Sequence, residues 1–316
     1  MAERMVPPRK VPSTRFGSYT VIRRLGEGGM AVVFLAEAID ERGEVLPVAL
    51  KFMKPNAAAP GVDPTELFAI EGDVMGLVRH PSLVKLYEVG KCGDELFLAM
   101  EHCLGGDLEA LQSALRWQHQ PFPPAIALQI GIDLLKALAH LHQAQSARGT
   151  SLGLVHGDVN PANIFVSLGE SRPKLGDFGV ASSSAVAGGL PTGMAGGKLH
   201  YLSPEQAQGQ ALSPQSDLFA LGVVMFELLL GQRPFDGESQ NEIIDRICAG
   251  RYDVPVGAPP ELSRIFEKAL AAHPRSRFTS AGAFAADLLR YQLEAGLQEL
   301  PGALRELTEE ALKVFA

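Results

Sequence analysis

The chain has 316 residues, of which 46% are apolar, and this length and composition allow one large domain or two lobes with a substantial core. Its formal charge is −8, from 28 basic and 36 acidic side chains without a basic stripe, so the charge argues against nucleic-acid binding. Three cysteines without a C-x-x-C pair predict reduced thiols and a cytoplasmic protein, and the most apolar stretch, Leu218–Leu230, contains Glu227 and is too short to span a membrane.

The first third of the chain is predicted to be mostly β-structure. Residues 1–15 are rich in proline and basic side chains and lack periodicity, which predicts a flexible tail and no signal peptide. The elements that follow are predicted in this order: strands from Tyr19 to about Leu50, a loop at 55–64, a helix from Thr65 to Val78, and strands near Leu83–Val89 and Leu96–Glu101.

After Gly105-Gly106 the pattern becomes mostly helical. The predicted elements are helices at 107–118 and 124–145, short strands at 154–155, 164–166 and 173–176, a mobile Ser/Gly-rich segment at 182–197, and further helices that end in a C-terminal helix at 298–316. This order predicts an α+β fold with two lobes and a cleft between them. The small β-rich N-lobe would occupy about 16–102 and the larger helical C-lobe about 103–297.

Three features of the predicted N-lobe suggest a phosphate site. The stretch LGEGGMAVVFLA at 25–36 has glycines that permit a tight turn, so backbone amides can approach a phosphate closely. Lys51 ends the apolar run PVALK, and Glu71 follows on a helix, where it shares a face with Leu67 and Met75. An inward-facing glutamate needs a partner, and Lys51 is the candidate. Each feature alone is weak, because glycine-rich hairpins and strand-end lysines are common.

Further motifs follow in the helical part of the chain. They are VHGDVNPANIF at 155–165, GDFG at 176–179, SPE at 203–205, SDLFALG at 216–222 and HPRSRF ending at Phe278. With the three N-lobe features, these blocks resemble the protein kinase family, most closely the bacterial Ser/Thr kinases, over about residues 17–295. The resemblance implies an ATP- and Mg²⁺-dependent kinase with protein substrates, and a buried ion pair between Glu205 and Arg277.

The resemblance also implies the roles of individual residues. Asp158 would accept or orient the proton of the substrate hydroxyl, Lys51 would hold the α- and β-phosphates, and Asn163 and Asp177 would bind Mg²⁺. The implied nucleotide-binding set is Leu25, Gly26, Glu27, Gly28, Gly29, Val33, Ala49, Lys51, Glu71, Met100, Glu101, Cys103, Asp107 and Phe165. Within this set Met100 takes the gatekeeper position and Asp107 takes the ribose position.

Three positions depart from the family pattern. Gly157 replaces an arginine that in many kinases pairs with a phosphorylated activation loop, so this change bears on regulation. Asn160 replaces a lysine that contacts the γ-phosphate and the catalytic aspartate. Lys198 follows Gly197, where the family has a threonine that lies against the catalytic loop. We predict that Lys198 is catalytic and supplies the charge that Asn160 lacks, and the alternative is a lysine that turns to solvent.

These departures leave three functions open. The first is an active Ser/Thr protein kinase, which the complete set of metal and phosphate ligands favours. The second is a pseudokinase that binds nucleotide and acts as a switch or scaffold. The third is a small-molecule kinase, since related folds phosphorylate small molecules. The C-terminal helix has an apolar side that would dock on the C-lobe or on a partner.

Overall fold

The structure, a computed structural model, describes residues 15–28, 31–40, 42–54, 64–93, 95–146, 148–178, 197–298 and 300–313. The predicted tail except Arg15, Gly29 of the nucleotide set, and the predicted mobile segment except Gly197 lie outside these residues. The described chain divides into two compact units. The sheet unit takes its residues from Met1–Asp73 and Lys85–His102, and the helical unit from Val74–Val84 and Cys103–Ala316.

The sheet unit contains one antiparallel six-stranded sheet, with strand order β1-β2-β3-β4-β6-β5. The strands are β1 Arg15–Phe16, β2 Tyr19–Glu27, β3 Ala31–Ile39, β4 Val45–Met53, β5 Leu86–Cys92 and β6 Glu95–Glu101. Helix α1, Pro64–Leu77, begins in this unit and ends in the helical unit. The β-rich first segment predicted from the residue pattern is confirmed.

The two faces of this sheet have different surroundings, because side chains alternate along each strand. One face carries the apolar core of the unit, in which Tyr19, Phe52 and Phe97 form a cluster of aromatic rings. The strand register pairs Val33 with Lys51 and Ala49 with Met100, and these four residues therefore lie on the opposite face. This second face presents most of the nucleotide-binding residues predicted in β3, β4 and β6.

Strand β5 begins later than predicted. The predicted strand starts at Leu83, but the structure begins it at Leu86. Leu83 and Val84 belong instead to the helical unit, where the Val84 amide donates to the Leu175 carbonyl over 2.9 Å. Since those backbone groups are already paired within the helical unit, they are not available to extend β5.

The helical unit contains eight named helices after α1 and one hairpin within its described residues. The helices are α2 Leu108–Trp117, α3 Pro124–His142, α4 Pro204–Ala207, α5 Pro214–Leu230, α6 Gln240–Ala249, α7 Pro260–Ala269, α8 Ala281–Glu294 and α9 Ala303–Leu312. The hairpin strands are β7 Ile164–Ser167 and β8 Arg172–Leu175, and short 3₁₀ turns occur at Pro161–Asn163, Gly197–Tyr201 and Pro274–Ser276.

Helix α3 is the centre of this unit, where it packs against α5 and α8. Its apolar residues are buried through most of its length, as are those of α5. Among the described helices, α3 alone has the length and composition that could cross a membrane, and 61% of that stretch is buried inside the protein. Burial of this kind is typical of a core helix, so this helix is weak evidence for a membrane span.

One predicted strand of the helical unit does not form. Residues 154–155 are apolar but have no strand pairing. The two amides that follow, of His156 and Gly157, each donate to the Asp217 carboxylate over 2.8 Å. A side chain at the start of α5 therefore satisfies the backbone directly after this segment.

The C-terminal helix α9 docks on its own unit. It packs against α2 and β7, with Leu304, Thr308 and Ala311 buried at 1% exposure or less. The Arg305 amide also donates to the Ser171 hydroxyl over 3.2 Å. The C-terminal helix was predicted to dock on the C-lobe or on a partner, and in the structure it docks on the helical unit.

Candidate active site

The sheet unit contains a lysine–glutamate pair on its second face. Lys51 Nζ lies 2.7 Å from Glu71 Oε1 and 3.0 Å from Glu71 Oε2, and both side chains are largely buried. Strand β4 places the lysine and helix α1 places the glutamate. The pairing predicted from an inward-facing glutamate is confirmed. A buried cation held by two carboxylate oxygens is a fixed positive charge, suited to binding phosphate.

The glycine-rich segment lies at the end of β2. The Gly28 amide donates to the Ala31 carbonyl over 2.9 Å, so the residue after β2 is bonded to the first residue of β3. Glu27 pairs with Lys54 at 2.6 Å, and the hydrogen bond and charge of that ammonium lower the pKa of Glu27. Leu25 and Gly26 lie near the end of β2, just before Glu27. A role for these residues in binding phosphate stays a prediction.

The helical unit holds the remaining predicted nucleotide residues. The segment that follows Cys103 is fixed on β7, because Gly105 donates to the Val166 carbonyl and Val166 donates to the Gly106 carbonyl, each over 2.9 Å. A Cβ at Gly105 would lie 2.7 Å from the Val166 carbonyl oxygen, so this close approach requires glycine. The same contact places Asp107 beside Phe165 as an isolated β-bridge.

Asp107 has a structural role that the sequence analysis did not identify. Its side chain accepts a hydrogen bond of 2.8 Å from the Ala110 amide and caps the N-terminus of α2. Burial raises the pKa of this carboxyl above its ordinary value. The ribose contact predicted for Asp107 stays a prediction.

Three side chains from two segments surround the carboxylate of Asp158. Asn160 Nδ2 donates to Oδ1 over 2.8 Å, Asn163 Nδ2 donates to Oδ2 over 2.8 Å, and Lys198 Nζ lies 2.9 Å from Oδ2. The Asp158 side chain is nevertheless 29% exposed. A carboxylate held in one orientation and still open to solvent is suited to receive a proton from a bound hydroxyl.

Asn163 and Asp177, the predicted metal ligands, lie on adjacent segments. The Gly176 amide donates to the Asn163 carbonyl over 2.9 Å, so the residue before Asp177 is bonded directly to Asn163. Asn163 uses its amide group to donate to Asp158, which turns its side-chain oxygen away. One amide oxygen and one carboxylate are hard ligands of the kind that Mg²⁺ prefers, so these residues fit the metal.

Asp177 has an unusual backbone conformation. Its φ is 55°, in the left-handed region, which residues other than glycine seldom adopt. The adjacent Phe178 is buried, and its ring centroid lies 5.1 Å from that of His156. Strain of this kind persists only where the surroundings impose it, and it concentrates at functional sites.

Asp217 and His156 support the loop that carries Asp158. Asp217 accepts from the amides of His156 and Gly157 and also lies 2.8 Å from His142 Nε2. The His156 ring spans two segments, since Nε2 contacts the Gly176 carbonyl at 3.1 Å and Nδ1 accepts from the Asp158 amide at 3.3 Å. Complete burial lowers the pKa of His156. The ring is therefore neutral, with its proton on Nε2.

The sequence analysis missed two residues that hold this loop. Gln206 Nε2 donates to the Gly157 carbonyl over 2.7 Å, and His142 contributes the third contact to Asp217. Both are distant in sequence from the groups that they contact. His142 lies in no motif with recognisable spacing. Gln206 follows the SPE motif directly and completes an S-x-x-Q capping box with Ser203, a pattern that marks the start of a helix but does not predict the contact with Gly157.

Comparison with known proteins places this architecture in a family. The protein kinase domain family matches residues 19–290. The tyrosine-protein kinase MasK of Myxococcus xanthus is 32% identical over 275 residues, and the serine/threonine-protein kinase PrkC of Bacillus subtilis is 34% identical over 278. The serine/threonine-protein kinase PknL of Mycobacterium tuberculosis is 34% identical over 285 residues.

These alignments cover 85%, 86% and 89% of this chain, in that order. They cover 42% of MasK, 40% of PrkC and 67% of PknL, so the chain corresponds to about two fifths of the length of the first two relatives. The chain belongs to the protein kinase family, and its relatives include bacterial Ser/Thr kinases. The secondary structure of the two units, one β-rich and one helical, is consistent with the N-lobe and C-lobe of this family.

Proposed function

We propose that this chain is an active protein kinase that transfers the γ-phosphate of ATP to serine or threonine hydroxyls of protein substrates, with Mg²⁺ as cofactor. The observation that carries the proposal is the environment of Asp158. Its carboxylate is oriented by two asparagines, paired with the Lys198 cation and open to solvent. A chain that had lost catalysis would have no need to keep an oriented, accessible base with a cation beside it.

The chemistry follows from the family's reaction. Asp158 accepts the proton of the substrate hydroxyl while that oxygen attacks the γ-phosphorus, and the bond from the γ-phosphorus to the bridging oxygen breaks to release ADP. Lys51, fixed by Glu71, would hold the α- and β-phosphates. Asn163 and Asp177 would hold Mg²⁺, which when bound supplies positive charge against the phosphate oxygens.

Two observations favour this function over the alternatives. MasK, PrkC and PknL are all named as protein kinases, which favours a protein substrate over a small molecule. PrkC and PknL are named for serine and threonine, and MasK for tyrosine, so the acceptor hydroxyl is part of the test. Against a pseudokinase, the Lys51–Glu71 pair, Asp158, Asn163 and Asp177 are all present.

The test combines phosphoryl transfer with nucleotide binding. The purified chain is incubated with γ-labelled ATP, Mg²⁺ and a generic protein substrate, and the labelled product is hydrolysed to identify the phosphorylated amino acid. We expect phosphoserine and phosphothreonine, and a rate that falls about 10²-fold or more in Asp158→Asn, which removes the base. Asp245→Asn, the same change on the exposed face of α6, is the matched control and should leave the rate unchanged.

The outcomes separate a protein kinase from its alternatives. A chain that binds ATP in calorimetry but labels protein no faster than Asp158→Asn is a pseudokinase or a small-molecule kinase, and not a protein kinase. Labelled phosphotyrosine alone would overturn the serine/threonine assignment. A chain that binds no nucleotide with either Mg²⁺ or Mn²⁺ would contradict both the kinase and the pseudokinase functions.

A further inference from the structure

We infer that Lys198 is the residue that contacts the γ-phosphate of ATP in this chain, in place of the lysine that the family carries at position 160. The inference rests on the proposed function and goes beyond it, because it assigns a catalytic group to a position where the family has a threonine. Four observations lead to it: the scarcity of cations near Asp158, the commitment of Asn160, the anchoring of Lys198 and its exposure.

The first observation is that the catalytic segment has no cation of its own. Between Arg148 and Arg172 the chain has no lysine or arginine, and Lys198 is the only one between Lys174 and Arg233. Among the described residues, Lys198 is also the only basic side chain that pairs with Asp158. A reaction that gathers negative charge on a phosphoryl group needs a fixed positive charge there, and in the helical unit Lys198 is the available donor.

The second observation concerns Asn160, which cannot take this role. Its side chain is 2% exposed and folds back on its own loop. The Nδ2 group donates both to the Asp158 carbonyl, over 3.0 Å, and to Asp158 Oδ1, over 2.8 Å. Its oxygen accepts from the Ala162 amide over 3.1 Å and caps the 3₁₀ turn at Pro161–Asn163. Every hydrogen-bonding group of this amide is therefore in use, and none remains for a phosphate.

The third observation is that Lys198 stands on an anchored backbone. It lies in the 3₁₀ turn Gly197–Tyr201, and the three residues that follow it are buried. His200 Nδ1 contacts the Phe235 carbonyl at 2.9 Å, and the Tyr201 hydroxyl donates to Glu227. These contacts fix the start of the Lys198 side chain beside Asp158, which argues against a lysine that turns to solvent away from the site.

The fourth observation is that the Lys198 ammonium has room to rearrange. Its side chain is 42% exposed, so part of the ammonium faces solvent and not protein atoms. A fully buried pair could not exchange its partner without a large desolvation cost, whereas this one can. The four-carbon stem allows the ammonium to reach a phosphate while it stays near Asp158.

Nucleotide binding gives a test that does not depend on turnover. ADP and the non-hydrolysable analogue AMP-PNP differ at the γ-phosphate, so a γ-phosphate contact affects only AMP-PNP. We expect Lys198→Met, which keeps the stem and removes the charge, to weaken Mg-AMP-PNP binding ~10-fold in calorimetry. ADP affinity should change less than about twofold, and Lys198→Arg should retain most of the AMP-PNP affinity.

The matched control is Lys136→Met on α3. Lys136 also pairs with an aspartate of the helical unit, Asp133, at 3.0 Å, and is 56% exposed. It lies outside the proposed site, so both nucleotides should bind this variant as they bind the unaltered chain. The control separates loss of the γ-phosphate contact from loss of an ordinary surface ion pair.

Kinetics then test whether positions 160 and 198 share one role. Lys198→Thr should lower kcat by about 10²–10³-fold, by analogy with removal of a transition-state hydrogen-bond donor. Asn160→Lys alone would add a second cation beside Lys198 and should give no gain. The double variant, Asn160→Lys with Lys198→Thr, restores the family's pair and should recover at least about tenfold of the loss, and this non-additivity is the signature of a shared role.

The outcomes distinguish this inference from the proposed function. If Lys198→Met loses the same affinity for both nucleotides, or loses none for either, the assignment of Lys198 is overturned while the kinase function stands. An increase of kcat in Lys198→Thr also overturns it, because the cation would then be blocking the base. The assignment is also overturned if the double variant is no faster than Lys198→Thr, provided that the double variant still binds ADP and is therefore folded. Absence of binding by the unaltered chain would instead contradict the proposed function.

Discussion

Replacement of Arg277 by lysine should remove a large part of the stability of the helical unit. The Arg277 guanidinium is fully buried and donates all five of its N–H groups. Two go to the Glu205 carboxylate, over 2.7 and 2.8 Å, and three go to the carbonyls of Ala271, Ala272 and Gln215. The buried pair predicted between Glu205 and Arg277 is thereby confirmed, with a complete set of hydrogen bonds around the arginine.

The magnitude follows from this count of hydrogen bonds. A lysine has three donors on a single nitrogen, so at least two of the five acceptors lose their partner. Each buried acceptor without a partner costs about 1–3 kcal/mol, which gives a loss of about 2–6 kcal/mol for Arg277→Lys. Arg277→Met should cost at least as much, because it removes all five donors and leaves the Glu205 anion buried without a cation, a change that by itself costs about 3–5 kcal/mol. Domain stabilities are about 5–15 kcal/mol, so either loss is a large share.

The assay is urea unfolding, monitored by the circular dichroism signal of the helices. The slope of unfolding free energy against urea concentration should be the same in the variants and the unaltered chain. The control is Arg305→Lys on α9. The Arg305 side chain pairs with Glu309 at 2.8 Å, but it is 53% exposed. An exposed pair of this kind contributes about 0–1 kcal/mol, so the control should change little. If Arg277→Lys costs no more than Arg305→Lys, the argument from donor count is refuted.

Two further predictions concern backbone conformation and acid stability. Gly157 has φ of 76°, so Gly157→Ala should lower the unfolding free energy by about 1–2 kcal/mol. Gly282→Ala, in the first turn of α8 where φ is not positive and a Cβ meets no close neighbour, should not lower it. Equal effects of the two variants in urea unfolding would contradict the strain expected at Gly157. Burial lowers the pKa of three histidines below their ordinary 6.5, so the unfolded chain binds protons first and stability falls as pH drops below 6.5. Unfolding free energies at pH 7.5 and 5.5 test this, and equal values would contradict it. These histidines are His80, His102 and His156.

The position of Lys198 connects the two departures in the family's catalytic motifs. The family pattern inferred from the sequence predicts a lysine at position 160 and none at 198, and the structure brings Asn160 and Lys198 together through Asp158. Gly157, the third departure, occupies a left-handed backbone position where glycine is unstrained. The Ser/Gly-rich segment predicted at 182–197 contains the candidate sites for activation-loop phosphorylation, and these lie outside the described residues: Ser182, Ser183, Ser184 and Thr192.

Several features of this protein were predictable from the sequence because they depend on local pattern or on simple charge balance. The order of strands and helices follows from side-chain periodicity, and it predicted the α+β division into a β-rich and a helical part. The Lys51–Glu71 pair was predictable because a charge on an apolar face needs a partner. The Glu205–Arg277 pair was implied by the resemblance to the kinase family. The motif order was sufficient to predict the family.

Other features are decided by contacts between distant parts of the chain, and only the tertiary structure shows them. Strand β5 begins at Leu86 because Leu83 and Val84 pair with β8, and the amides that follow the unpaired residues 154–155 bind the Asp217 carboxylate. Asn160 turns back to cap its own loop, a choice among rotamers that the sequence does not express. The ion pair between Lys198 and Asp158 joins residues 40 positions apart. Sequence periodicity reports which face of an element is buried, but the partner that meets a polar group depends on how all the elements pack together.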